Sequence, residues 1–552
     1  MPSRLIPLEL PRPGIFGVNT SASGDVMPKE YSVSTMNMVF SDEGFLEARR
    51  GTRRDHTDTL KTELSAATDQ TVRTVYHTRD ENGDDLLIFS TEDGIMKIAN
   101  NAITDITGTI TAPSAGNWKF QNLNDKIIGF QPGHGMIELT TPSTGTFSDV
   151  TFTGTEAPAT SGSAATDILA AAGRLWVLDG DQLRYSDQLD HTSFDPTGGD
   201  GGAFDLNASM LRGEDNRVAL DEFNGNLLVF YEKHITVWSG IWNPNADTAV
   251  AELGASPAMQ VVENISGVGC VARDSIQKTQ NDLLFLSEQG VTSLSRVVQE
   301  KSMPLKRYSD NIRREILDLL QTSDMTKVWS EYLEGKGMYL LGHPDYKHTI
   351  LIDAANTLED GSHRCTLWDK VFTTMGVTPV DNLAANEDIW STLYCSSEVN
   401  YLSKMKGHTD DALVGGTGGS SYDIEWESAW TYIQNDLANR IKIPKKIITT
   451  IKGSGTQTVG VNLAFDYGGF IDNNEKVFTV ELARTSLYGS ATYGGATTSV
   501  TTGYYGSGNS IKKGKGMGFG KGQIMKVRVR STVDGFALSL QRVTVKAKVG
   551  RQ

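Results

Sequence analysis

Few side chains in this sequence are placed as catalysis or ligand binding would require, and each candidate group fails a specific test. A phosphate-cradling loop needs a hydroxyl side chain after its lysine, but the nearest stretch, GMGFGKGQ from Gly516, places Gly522 there. Asp80, Asn82 and Asp84 alternate as in a calcium loop, yet the residue that should be the bidentate glutamate is Thr91, so the triplet reads as an acidic hairpin tip. His343, His348 and His363 straddle a turn and two strand-like runs and read as surface or hairpin residues. Asp423, Glu425 and Glu427 alternate on one strand face. Paired carboxylates are the apparatus of glycoside hydrolysis, but an exposed polar strand face needs no catalysis. Beside them Trp426, Trp430 and Tyr432 could line a glycan groove, although core packing is the expectation. There is no nucleophile elbow, zinc-protease helix or dinucleotide loop. Cys270, Cys365 and Cys395 form no Cys-x-x-Cys pair, which argues against a disulfide framework or zinc knuckle. No catalytic, cofactor-binding or metal-binding residue is expected, and the chain reads as non-enzymatic.

Elements must therefore carry the reading. The chain has 552 residues with 56 glycines and only 16 prolines, without a Gly-X-Y period, which points to many tight turns and a β-rich fold. No window of about 18 apolar residues and no leader-like apolar stretch is present, so neither a membrane span nor a signal peptide is expected, and folding in a reducing cytoplasm is. The net charge of −16 is uneven. Residues 505–552 carry eleven Lys or Arg against the single acid Asp534, leaving −26 on the preceding 504 residues. An acidic body repels nucleic acid, whereas a basic C-terminal stretch can meet an acidic partner.

A hairpin recurs seven times. Its first strands read NGDDLLIFS from Asn82, LNDKIIGFQ from Leu123, AAGRLWVLD from Ala171, NGNLLVFYE from Asn224, QNDLLFLSE from Gln280, EGKGMYLLG from Glu334 and NEDIWSTLY from Asn386. Each is followed within a few residues by a partner strand such as GIMKIA from Gly94 or HITVWS from His234. Asn-Gly, Asp-Gly and lone Gly between the runs supply the positive φ of hairpin turns. The repeat, 41 to 56 residues long, has room for about four strands, the signature of a β-propeller blade. The expected fold is all-β, a propeller of six or seven blades over residues 61–420, after an N-terminal extended arm with docking strands over 1–60. DNIRREILDLL, with Asp310 as its N-cap, predicts a short helix on or between blades. Residues 421–552 alternate at period two and predict an appended sandwich-like C-terminal β-domain. Within it KVRVRSTVDGFALSLQRVTVKAK reads as two long strands joined at Asp534-Gly535, and residues 488–522 as a glycine-rich loop or arm.

In order and texture the chain resembles the tail nozzle proteins of short-tailed, podovirus-like bacteriophages. The resemblance lies in PGIFGVNTS from Pro13, NMVFSDEGFLEARRG from Asn37, GVGCVARDSIQKTQNDLLFLSEQGVTSL from Gly267, TILIDAANTLEDGSHRCTLWD from Thr349 and GFALSLQRVTVKAKVGR from Gly535. It implies a structural virion protein assembled in the host cytoplasm as a homo-oligomeric ring, a hexamer. Such a ring docks on an adaptor, receives fibre, spike or needle proteins, and passes double-stranded DNA without sequence recognition. Arg49, Arg50, Tyr504, Tyr505, Lys512, Lys513, Lys515 and Lys521 are then the candidate inter-subunit or partner contacts. The alternatives are a glycan-binding or glycan-degrading tail propeller and a cellular propeller scaffold.

Overall fold

The computed structural model describes the chain apart from residues 1–4, 42, 100–101, 111–115, 159–164, 210–214, 245–258, 301–306, 323, 380–387, 415, 417, 433–439, 472–473, 482–509 and 550–552. Seven antiparallel sheets follow one another in chain order. Blade 1 runs from Thr74–Arg79 to Ala102–Asp105, blade 2 from Lys119–Leu123 to Ser148–Asp149, and blade 3 from Ala165–Ala171 to Gly202–Asp205. Blade 4 runs from Arg217–Phe223 to Gln260–Ser266, blade 5 from Gln277–Lys278 to Gly290–Ser293, blade 6 from Trp329–Leu333 to His363–Trp368, and blade 7 from Thr374–Val377 to Ser403–Met405. The protein is an all-β propeller, and the blade count is seven.

Each hairpin read from the sequence supplies the second and third strands of one blade, as Asn226–Tyr231 and His234–Ser239 do in blade 4. The second strands read as unbroken apolar runs because neighbouring blades cover both their faces: every residue of Leu283–Ser287 and Met338–Gly342 is buried. The turn that precedes the second strand of blade 4 places Asn224 and Gly225 at φ 52° and 75°, the left-handed pair that matches strand twist. In blade 7 the expected strand is displaced. Ile389–Thr392 forms a short 3-10 turn, and the strand is Leu393–Ser396. Apolar clusters fill the interfaces around the ring, such as Leu86, Ile88 and Trp118 with Ile127 between blades 1 and 2, and the one between blades 6 and 7, with Leu340 and Leu393, is continuous with the core of the C-terminal region. The ring closes where Val75, Leu87 and Phe89 of blade 1 meet Tyr394 and Leu402 of blade 7.

Blade 5 has three strands among the described residues, and the helices Leu294–Glu300 and Arg313–Leu320 pack against its outer one. The second is the expected helix. Asp310 does not cap it but accepts the amide of Arg307 and opens a 3-10 turn, Asp310–Ile312, ahead of it. Ile312, Ile316 and Leu319 enter the core between blades 5 and 6.

The N-terminal 60 residues are not a separate arm. Thr52–Arg54 pairs with Ser403–Met405 and is the fourth, outermost strand of blade 7, so the last blade is built from both halves of the chain. Ser32–Met36 joins blade 6 to the C-terminal region. It bridges His363–Trp368 on one side and pairs with Tyr422–Ser428 on the other, giving a nine-stranded sheet that ends in Thr456–Phe465 and Lys476–Glu481. A six-stranded sheet faces it, with Ile6–Pro11, Met38–Phe40, Leu46–Ala48, Leu538–Val549, Lys442–Gly453 and Ser510–Met517.

The two sheets form a sandwich whose core contains Trp426, Val527 and Val529 from one and Ile447, Val543 and Val545 from the other. Met525–Val533 and Leu538–Val549 therefore do not pair across Asp534-Gly535, because the turn carries the chain from one sheet to the other. Both strands keep their valines inward, and the alternation that reads as a hairpin is equally that of an arch. The segment read as a loop over 488–522 holds a strand at Ser510–Met517, eight residues in register with Lys446 to Gly453. His343 and His363, read as surface or hairpin residues, lie at the two hairpins of blade 6 but are buried. His343 bonds the carbonyl of Asp324 at 2.8 Å, and His363 stacks on Tyr308 with ring centroids 3.9 Å apart.

Candidate functional site

The sequence-derived contact residues fall into separate places. Arg49 is fully buried, and its guanidinium grips Asp410 through two hydrogen bonds of 2.8 and 2.7 Å. Its Nε donates to Asn37 Oδ1 at 3.1 Å, the guanidinium lies 4.2 Å from the ring centroid of Tyr422, and the Tyr422 hydroxyl donates to the Arg49 carbonyl. A side chain without exposure contacts no partner, so the expected role is corrected: Arg49 fastens the segment that leads into the closing strand. Arg50 belongs to the same lock. It pairs with Asp388 at 2.6 Å and meets His408 Nε2 at 2.7 Å, and burial, helped by the Arg50 charge, pushes the His408 imidazole down to about 4. Arg54 then forks onto Glu398 at 2.9 and 2.8 Å and stacks over Tyr401. The only sequence signal was a run of arginines beside Gly51. Asp388, Glu398 and Asp410 lie more than 330 positions away.

Tyr504 and Tyr505 lie outside the described residues. Lys512, Lys513 and Lys515 are exposed on Ser510–Met517, which ends its sheet, and Lys521 is exposed beyond it. Side chains of a strand alternate between faces, so Ile511, Lys513, Lys515 and Met517 share the outward face while Lys512 points the other way. Lys513 lies beside Thr450 and then Arg542, and Lys515 beside Ile448 and then Thr544. Over this face runs a groove of about 820 Å³ whose walls carry the cations Arg12, Lys29, Lys513, Arg542 and Lys546 against the acids Glu9 and Glu30. No ion pair among the described residues neutralises Lys513, Lys515, Arg542 or Lys546. By contrast the acids Asp423, Glu425 and Glu427 are matched across the strand pair by Thr532, Arg530 and Lys526, which accounts for their alternation structurally. Trp426 is in the core, so it lines no groove. Asp80 accepts the amides of Asn82 and Asp84 and thereby closes its turn.

The innermost strands surround an axial channel with a cavity of about 450 Å³. Its wall is charged but internally paired. Lys119 bonds Asp167 at 2.7 Å, Arg273 bonds Asp274 at 2.8 Å, and Lys278 reaches Asp221 at 3.0 Å. Glu331, on the first strand of blade 6, is the exception: burial pushes its carboxyl up to about 8, with the Tyr332 amide offsetting part of the shift. The folded chain then holds a proton that the unfolded chain releases above the ordinary value of 4.5. The contribution is complete below that pH, falls through the window and is gone above about 8. Glu331→Gln is expected to flatten the fall by up to roughly 1 kcal/mol per pH unit. Urea unfolding of both proteins across the window measures it, and parallel pH profiles would show that Glu331 titrates normally.

The sequence matches no protein-family model and no curated protein sequence. Among solved structures, Kluyveromyces lactis Hsv2 is similar over 54% of this chain and 98% of its own, with 11% identity and a TM-score of 0.28. BamB from Moraxella catarrhalis is similar over 67% of this chain and 98% of its own, with 12% identity and a TM-score of 0.30. PorZ, a bacterial surface component of the type-IX secretion system of Porphyromonas gingivalis, is similar over 75% of this chain and 45% of its own, with 10% identity and a TM-score of 0.32. Likeness at this level carries no function from one protein to another; the propeller rests on its own seven sheets.

Proposed function

We propose that the chain is a non-enzymatic structural component of a virion, the nozzle of a short-tailed phage, and that it assembles as a homo-oligomeric ring, a hexamer, through which DNA leaves the particle. The observation that supports this reading is where the segments resembling that family meet. Val18 donates its amide to Cys365, Asn37 to Leu367, and Leu46 pairs with Leu540. Val18 also shares a core with Ala272, Leu284 and Val291 of blade 5. Segments scattered over more than 500 residues thus converge on one junction, where propeller and sandwich share a sheet.

Within the proposal the route for DNA is constrained by size. An axial cavity of about 450 Å³ is on the scale of a small-molecule pocket, so duplex would pass between the subunits of a ring and not through a propeller. An acidic subunit surface would keep it sliding. Electron microscopy and native mass spectrometry of the full chain, alone and mixed with the adaptor encoded in the same genome, test the reading. Closed rings are expected in the mixture; a chain that stays monomeric throughout overturns it.

A further inference from the structure

We propose that the axial channel binds an alkylammonium ion, an amine on a short apolar stem, with Glu331 as its counter-ion. Side chains of a strand alternate between faces, so Glu331 shares one face of Trp329–Leu333 with Trp329 and Leu333, both core residues. A carboxyl in such a row costs stability unless it is paired. Beyond the nearby Tyr332 amide it has no partner among the described residues. It is not sealed off, however. Glu331 is partly accessible and borders two cavities, the axial one of about 450 Å³ and a recess of about 370 Å³ between blades 6, 7 and 1.

The surroundings select the ligand. Cations of the channel wall are already paired, Arg273 with Asp274, Lys278 with Asp221 and Arg73 with Glu92. At the recess His77 is bonded to Asp85, and Lys336 of the neighbouring turn is not free. Glu334, exposed at the recess, has no ion pair among the described residues. Once Glu331 ionises, the uncompensated charge here is therefore negative. Val75, Leu333, Val377 and Ile389 give a hydrocarbon stem an apolar wall, and Tyr76 lines both cavities with a ring of the kind that attracts cations. No group of three metal-ligating side chains occurs among the described residues, and a single carboxylate suits an organic cation better than a divalent metal. A protonated carboxyl is no counter-ion, so binding displaces its proton: the ammonium ion and the Glu331 carboxylic acid give the ion pair and one proton released to solvent. The amine, with an ordinary value of about 10, stays charged throughout. Below about 8, the value to which burial pushes Glu331, affinity is then expected to rise by up to about tenfold per pH unit. The inference goes beyond the virion reading and does not depend on it.

The probe is n-butylammonium chloride, titrated into the full chain by isothermal calorimetry at pH 6 and pH 7 in buffers of different protonation enthalpy. Saturable binding is expected, tighter at the higher pH, with a buffer-dependent heat that corresponds to nearly one proton released. Glu331→Gln keeps the neutral shape of the protonated acid. It is expected to weaken binding at least about tenfold and to abolish both the proton release and the pH dependence, effects that a merely structural role would not produce. The uncharged n-butanol is expected not to bind. A blocked tripeptide with lysine between two alanines, run in parallel, separates the sources of the amine: tighter binding than n-butylammonium assigns the site to a lysine side chain of a partner, weaker binding to a free amine. No saturable binding, equal binding of n-butanol, equal binding by Glu331→Gln, heats independent of buffer, or tighter binding of magnesium chloride would each overturn the proposal.

Discussion

Asp410→Ala is expected to lower the stability of the folded chain by about 3–5 kcal/mol, the range found when one partner of a buried ion pair is removed. The magnitude follows from what remains. Arg49 keeps its charge at 0% exposure, and the bonds to Asn37 Oδ1 and the Arg50 carbonyl do not neutralise it. A surface pair of the same length would contribute about 0–1 kcal/mol, so the two cases are well separated. The paired change Arg49→Met with Asp410→Leu is expected to recover most of the loss, since an apolar pair of similar volume avoids desolvating two charges. Asn37 Oδ1 keeps a donor in that variant, the Asp369 amide at 3.1 Å. Urea unfolding of the three proteins checks both statements. A single-variant loss no larger than that of a surface pair would remove the closing lock from the account of stability.

What could be read in the sequence was local, and what could not was pairing at long range. The hairpins were legible because strands such as Leu283–Ser287 are apolar throughout and because pairs such as Asn224 and Gly225 supply the backbone freedom their turns require. The sandwich was legible from the alternation of Val527, Val529 and Val533. The closing strand Thr52–Arg54 was not. It is three residues long, two of them arginine, and as an outermost strand it needs no apolar run. Arginines also read as exposed by type, and nothing near Arg49 announces a carboxylate 361 positions away. His343 and His363 lie at hairpins, but their burial was not legible for the same reason, since their partners are backbone carbonyls and rings from other elements. Ser510–Met517 read as loop because Gly514 and Gly516 weaken a strand. Its neighbour Lys442–Gly453, anchored in the core by Ile447 and Ile451, supplies the template that its own composition lacks.

Gly51→Ala is expected to cost roughly 2–3 kcal/mol or more, beyond the usual range for overpacking if the backbone cannot yield. Gly51 sits between the arginine lock and the closing strand, donating its amide to Gly407 at 3.0 Å and accepting that of Lys406 at 2.9 Å. A methyl group there would be driven into the backbone carbonyl of Thr409. Neither side can move freely: Arg49 is fixed by Asp410 just before it, and Thr52 is bonded to Asp411 just after it. The strain is therefore expected to be relieved by displacing Thr52–Arg54 from Ser403–Met405. Blade 7 would lose its outer strand and the ring its closure, while blades 2 to 4 have no contact with the change. Hydrogen exchange should then rise first in Ser403–Met405 and Leu393–Ser396, ahead of Asn226–Tyr231. Gly469→Ala, where a methyl would meet nothing within 4 Å, is the control and should stay close to wild type. Uniform faster exchange across all blades would show that the ring fails as a whole and that the closing strand is not its weakest seam.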